Sequence, residues 1–323
     1  MSRRLWPVAL VGVIAVVATA VLVATQDRPP TTVRDEAPAP PGLALLVVET
    51  DAGPLGAVVG TTGFGRPGVL VLPPETLVTV PGQGETTVGE ALELPPRQAA
   101  TAAGNLLGVW VDHHANLGGE ELAALVDRAG GISLGGATAS GDEVDAMLAE
   151  PGAGRAAMLQ AVLAGLVGSG VEWTAEDLGD ADDPVAVSDV VNTAAGSRVT
   201  LLPTQEVASG VFQSSPEAVS AALVDAFGGP AEEAVPVIVL NGNGVPGIGE
   251  LVAEKILPGG FRIAVSQNAS SFDHDETLVV VGSSNDVVLA ERVRYLLGVG
   301  SVSVSVGSGI APVTVVVGKD FIG

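Results

Sequence analysis

Residues 67–92 read PGVLVLPPETLVTVPGQGETTVGEAL. The aliphatic and β-branched run at 69–72 has the composition of a short buried strand. Pro73-Pro74 breaks it, since proline offers no N–H to a ladder. A second apolar run follows, and Pro81-Gly82 with Gly84 then marks a turn.

Working outward, LALLVVET (43–50) and GAVVG (56–60) read as core strands. Residues 97–107 have helical spacing and lead into GVWVDHH (108–114), which reads as strand. A second helix spans 119–129 and stops at Gly130-Gly131, where a glycine C-cap is expected. A further helix runs from Gly154 to about Leu166, an acidic loop covers 172–183, and a helix is expected over 185–195. RVTLLPTQ (198–205) reads as a closing strand and 216–227 as the last helix, with Pro216 suited to its first turn. Together 43–228 form an α/β domain, expected as α/β/α, followed by a short linker at 229–234.

From Val235 strands and helices alternate cleanly: VPVIVLNG, VPGIGELVAEKIL, FRIAVSQ, ETLVVVG, SNDVVLAERVRYLLGV, SVSVSVG and VTVVVG. That alternation predicts a smaller α/β sandwich over 235–323.

Ahead of both, a short basic tip (1–5) precedes WPVALVGVIAVVATAVLVAT (6–25), an uncharged run long enough as a helix to cross about 30 Å of hydrocarbon. Arg3 and Arg4 before it and Asp27 after it orient the N-terminus to the cytoplasm and the bulk outside. The run exceeds a typical signal-peptide core, so it reads as an uncleaved signal anchor. Residues 26–42 are a Pro-rich spacer.

The formal charge over 323 residues is −23, with 14 Lys and Arg against 37 Asp and Glu. Such a balance disfavours nucleic acid, which needs clustered cations, and disfavours lying flat on anionic lipid. There is no cysteine, hence no disulfide framework, thiolate site or cysteine nucleophile.

Gly242-Asn243-Gly244-Val245-Pro246-Gly247 fits G-x-G-x-x-G between a strand and a helix. A dinucleotide site also wants an acidic residue ending the next strand, and Gln267 and Asn268 stand there. Gly242, Gly244 and Gly247 therefore read as a structural turn, and no cofactor is expected. His113 and His114, adjacent on a strand, should face opposite ways, one inward and one outward, with no supporting partner in view. Glu172, Glu176, Asp177, Asp180, Asp182 and Asp183 lack EF-hand order and read as a solvated loop, not a metal site. No H-E-x-x-H, G-x-S-x-G or Walker A sequence occurs.

Four segments resemble the LytR-CpsA-Psr family of cell-envelope proteins. Pro73-Pro74-Glu75-Thr76 and Thr87-Val88-Gly89 stand where the family has Pro-Arg-Asp-Thr/Ser and Lys-Ile/Leu-Asn. LLGVWVDHHANLGGEELAALVDRAGGI (106–132) looks like that family's core strand and helix. Gly154-Arg155-Ala156-Ala157-Met158-Leu159-Gln160 is similar to its Gly-Arg-x-x-Arg-Gln-Gln. VLNGNGVPG (239–247), Gly260-Phe261, NASSFD (268–273) and VVVGKDF (315–321) closely resemble the LytR C-terminal domain.

The resemblance implies transfer of a glycopolymer from a polyprenyl-pyrophosphate carrier to peptidoglycan, which calls for guanidinium clamps and often a metal such as Mg²⁺. Carried over by position, the clamp Arg is Pro74, the Asp is Glu75, the Lys is Thr87 and the second helical Arg is Met158. Arg155, Glu75, Thr76 and Gln160 are the residual candidates. Losing one such donor typically costs ~10²–10³ in rate, so a non-catalytic envelope module is expected, with Mg²⁺ needed only if transferase activity persists. Its expected partners are the membrane through 6–25 and peptidoglycan, wall glycopolymer, lipid-linked precursor or envelope proteins.

Overall fold

The structure, a computed structural model, describes residues 42–62, 65–152, 154–228, 233–305 and 309–322. Segment 6–25, expected to be an anchor, the expected spacer up to residue 41 and residues 229–232 lie outside the described residues. Among the described residues no helix is long and apolar enough to cross a membrane.

Strands β1 (Leu43–Val48), β2 (Leu55–Gly60) and β3 (Gly68–Leu72) are buried at every position and pair antiparallel. Unbroken aliphatic runs suit strands covered on both faces. β4 (Leu77–Val80) and β5 (Gly84–Thr87) form a hairpin leading into α1 (Val88–Leu92) and α2 (Pro96–Leu107). Next come β6 (His113–Leu117), α3 (Gly119–Arg128), the hairpin β7 (Ile132–Leu134) and β8 (Ala137–Ala139), α4 (Gly141–Ala149) and α5 (Arg155–Ser169). β9 (Asp180–Ala181), α6 (Pro184–Thr193), β10 (Val199–Leu201), the hairpin β11 (Gln205–Ala208) and β12 (Val211–Gln213), and α7 (Pro216–Phe227) complete this part.

The main sheet runs β10-β3-β2-β1-β6-β9, with β6 parallel to β1 and β10 parallel to β3. Its pleat sends Leu45, Leu70 and Leu72 into one core with Ala99, Ala103 and Phe227 of α2 and α7. Leu46, Val48 and Val71 enter the other, against Leu125, Leu159 and Val190 of α3, α5 and α6. Helices thus cover both faces, as the α/β/α expectation has it.

The sequence differs from the fold in one strand that matters. The strand read at 108–114 starts only at His113. Gly108 closes α2 in the left-handed region (φ 69°), and residues 109–112 run outside the sheet before β6 begins. Trp110 lies under the Arg97 guanidinium, 4.4 Å from ring centre to Cζ, and packs on the core of the second sheet. Ladder pairing with β1 begins at Ala44 opposite His113.

The second sheet holds β13 (Val235–Asn241), β14 (Phe261–Asn268), β15 (Leu278–Val281), β16 (Ser301–Val304) and β17 (Val313–Val317), in the order β14-β13-β17-β15-β16. Among the described residues of this sheet, β15 and β17 pair antiparallel and the other neighbours pair parallel. Alternating burial on β17 turns Val313, Val315 and Val317 inward, toward Val252 and Ile256 of α8 (Ile248–Ile256) and Val293 of α9 (Val287–Leu297). Both helices feed one core, the two-layer sandwich expected from the alternation.

Pro41–Gly323 form one compact unit, and polar contacts join the sheets. Asn105 of α2, only 3% exposed, donates to the carbonyls of Thr79 and Ile263, both at 2.9 Å, and accepts from Ile263 N–H at 2.6 Å. Gly82 N–H donates to Ser266 Oγ at 2.8 Å. A side chain at Gly249 would place its Cβ 2.5 Å from the Gly82 nitrogen, so glycine is required for this close approach.

Candidate functional site

The connection after β3 is held by the helix it precedes. Gly89 and Val88 donate their N–H groups to the carbonyls of Pro74 and Thr76, each at 2.8 Å. These are first-turn donors that a helix leaves without internal partners. Pro73 receives Thr76 N–H at 3.1 Å, and Glu75 C=O receives Phe212 N–H at 3.4 Å. The Thr76 side chain is fully buried and its Oγ1 lacks a hydrogen-bond partner. Thr87 caps α1 in a reciprocal box with Glu90. The position matching the family's Lys is a helix cap here.

Arg155 is 9% exposed and bound on several sides. Nε donates to Leu148 C=O at 3.0 Å and Nη1 to Ala52 C=O at 2.9 Å. Nη2 donates to Thr50 Oγ1 and Gly53 C=O. Four of the five N–H groups a guanidinium offers are thereby used. Burial lowers the Arg155 pKa from its ordinary value, and the Glu75 carboxylate opposes that through its field. Glu75 and Arg155 form no ion pair. Gln160 donates Nε2 to Val199 C=O at 3.1 Å, fixing α5 against β10, and Met158 packs on the core.

The other four cations of this part are also engaged. Arg66 donates to Asp225 C=O at 2.8 Å, and Arg198 pairs with the Asp225 carboxylate. Arg97 donates to the carbonyls of Val111 and Asp112 while stacked on Trp110. Arg128 grips both Asp177 oxygens at 2.7 Å each and reaches Glu172 C=O.

Two expectations need correction. His113 and His114 do not part to opposite environments. Both Nδ1 atoms approach Asp182 Oδ2, at 3.6 and 3.5 Å, because β9 brings that carboxylate to the edge of β6. A partner therefore exists, though the buried His114 Nδ1 is not aligned for a hydrogen bond to it. The acidic stretch is likewise not simply solvated. The Asp177 side chain is 10% exposed. Hydrogen bonds from Arg128, and from Thr174 after it, hold its carboxyl down at about 2. Asp183 caps α6 through Ala186 N–H. Thr174-x-x-Asp177 is a capping-box spacing, the sequence signal that points to this order.

In the glycine loop, Gly242 N–H donates to Val317 C=O, Gly244 N–H to Asn241 Oδ1 and Val245 N–H to Asn243 Oδ1. Gly244 and Gly247 have φ of 75° and 77°, which glycine adopts without penalty. These amides serve the turn itself and are not presented to a phosphate.

A cavity of about 140 Å³ lies among Leu77, Leu106, Leu223 and Ile263, below the ~300–1,000 Å³ of usual ligand sites. Among the described residues no three His, Cys, Asp or Glu side chains cluster to hold a metal ion. A larger cleft, which the sequence did not announce, opens between the two sheets around Gln98, Gln267 and Phe272.

Residues 234–321 match the family described as LytR_C, LytR cell envelope-related transcriptional attenuator. No curated protein matches the sequence. Solved structures similar to the chain include a LytR-Csp2A-Psr enzyme from Actinomyces oris, 13% identical, covering 59% of this chain and 91% of that one with a TM-score of 0.48. TagT of B. subtilis is 16% identical over 58% of this chain and 89% of its own, with a TM-score of 0.44. A LytR-CPS2A-psr family protein, YwtF (TagT), with bound octaprenyl pyrophosphate lipid is 16% identical over 56% and 86%, at 0.42. The resemblance of the C-terminal segments to the LytR C-terminal domain stands in the family match over residues 234–321.

Proposed function

We propose that this chain is a non-catalytic module of the cell envelope that binds wall glycopolymer, held outside the membrane by segment 6–25 as a signal anchor. The observation that carries the reading is the commitment of Arg155. A pyrophosphate leaving group needs free, preorganised cations. Arg155 instead spends four N–H groups on Leu148, Ala52, Thr50 and Gly53. Pro74 and Met158 supply no charge at the matching positions. The cell-envelope description of the matched C-terminal family supports the setting.

Co-sedimentation of the purified full chain with isolated cell-wall sacculi tests the binding half. The chain is expected to pellet with sacculi that carry their glycopolymer. Equal amounts in the pellet with and without sacculi would contradict the proposal. The anchor half is checked by fractionation of cells. The full chain should stay with membranes after an alkaline wash, and a chain beginning at residue 27 should not.

A further inference from the structure

The cleft between the two sheets has a volume of about 720 Å³, within the range of sites that enclose a small ligand. One wall is the β4–β5 turn and α2, which supply Gln83 and Gln98. The other is the end of β14, the glycine loop and α8, with Gln267, Glu250 and Phe272. Gln83 Nε2 donates to Gln98 Oε1 at 2.7 Å. Gln98 and Glu250 line the cleft together. Gln267 and Asn268 are exposed, at the strand end where a dinucleotide site would have its acid. Phe272 is 46% exposed and rests on Gly244, whose Cβ would lie 3.2 Å from the ring.

The chemistry of these walls selects a ligand class. Among the described residues no Lys or Arg lines the cleft, and the loop amides of Gly244 and Val245 are already used. A phosphate or pyrophosphate would therefore meet a carboxylate and no cation. Neutral carboxamides both donate and accept, which matches hydroxyl and acetamido groups. An exposed aromatic ring beside them offers an apolar face to the C–H side of a pyranose.

We infer that this cleft binds an uncharged N-acetylated glycan, with Phe272 as platform and Gln83, Gln267 and Glu250 as hydrogen-bonding partners. The inference rests on the glycopolymer-binding reading above and places that binding at the junction of the sheets, not beside Arg155.

The test is titration of the full chain in detergent micelles with an N-acetylglucosamine tetramer and, separately, with inorganic pyrophosphate. The tetramer should bind, and Phe272→Ala and Gln267→Ala should each weaken it tenfold or more with unchanged melting temperature. Pyrophosphate should not bind. No tetramer binding, equal binding by both variants, or pyrophosphate displacing the tetramer would overturn the inference. Sacculus sedimentation of the same variants separates the two readings. Retention of wild type with undiminished retention of both variants refutes the cleft and leaves the envelope reading intact. No retention of wild type refutes both.

Discussion

The Asn105 carboxamide completes the backbone of Ile263, 158 residues away, by accepting its N–H and donating to its carbonyl. This edge of β14 is thus satisfied by a side chain from α2, which also holds Thr79 of β4. A buried carboxamide with three hydrogen bonds is costly to remove, because its partners then stand dry and unpaired.

Asn105→Ala is accordingly expected to destabilise the chain by about 2–3 kcal/mol. Asn105→Asp should cost more, since a carboxylate would face the Thr79 and Ile263 carbonyls. Denaturant unfolding followed by tryptophan fluorescence reads both. Trp110, at this junction, should report loosening of the sheets before global unfolding. A midpoint equal to wild type for Asn105→Ala would contradict the joint.

Gly249 gives a test with an unusual sign. Glycine to alanine within a helix normally favours folding by up to ~1 kcal/mol. Here the added methyl would meet the Gly82 backbone at 2.5 Å and Ser266 Oγ at 2.6 Å. Gly249→Ala should therefore lower stability by about 1–3 kcal/mol. It should also weaken the glycan affinity inferred for the cleft, whose two walls meet there. Calorimetric melting decides the sign.

Arg155→Ala leaves the carbonyls of Leu148, Ala52 and Gly53 without their donor, so a loss of about 2–4 kcal/mol is expected. Arg155→Lys should recover little of it, because an ammonium lacks the planar fork that reaches four separate acceptors. Thermal melting measures both. Unchanged stability in Arg155→Ala would mean the guanidinium is not structural.

Asp177 sets an acid limit. Its folded pKa of about 2 lies below the ordinary 3.8. Its contribution is then fully present above pH ~4 and fades as the pH falls toward ~2. The shift corresponds to about 2 kcal/mol at most, and about 1 after screening, since Arg128 is 43% exposed. Asp177→Asn should flatten this part of the stability–pH curve, as urea midpoints between pH 5 and 2 will read.

Much of this architecture was legible in the residues, and the reasons differ by part. β1, β2 and β3 are uninterrupted aliphatic runs bounded by Pro and Gly, so their burial on both faces shows in composition alone. The C-terminal strands and helices alternate with clear punctuation, and each was placed. The strand at His113 was read too early, because Val109 and Val111 look like strand residues while serving as a buried connector. The hairpin at 132–139 and α4 were not foreseen, since short Gly-bounded strands carry little periodicity. At the site, the uncharged residues Pro74 and Met158 were plain, whereas the capture of Arg155 by the β1–β2 turn was not. A side chain's partners more than a hundred residues away leave no mark on local spacing.

The proposed function requires that the chain transfer no glycopolymer from a polyprenyl-pyrophosphate carrier. It is tested most directly by incubating the full chain, in vesicles with Mg²⁺, with a radiolabelled polyprenyl-pyrophosphate-linked glycopolymer and peptidoglycan acceptor. The account predicts release of lipid phosphate no faster than in protein-free vesicles. Release well above that level, abolished by Glu75→Gln at an unchanged melting temperature, would contradict it.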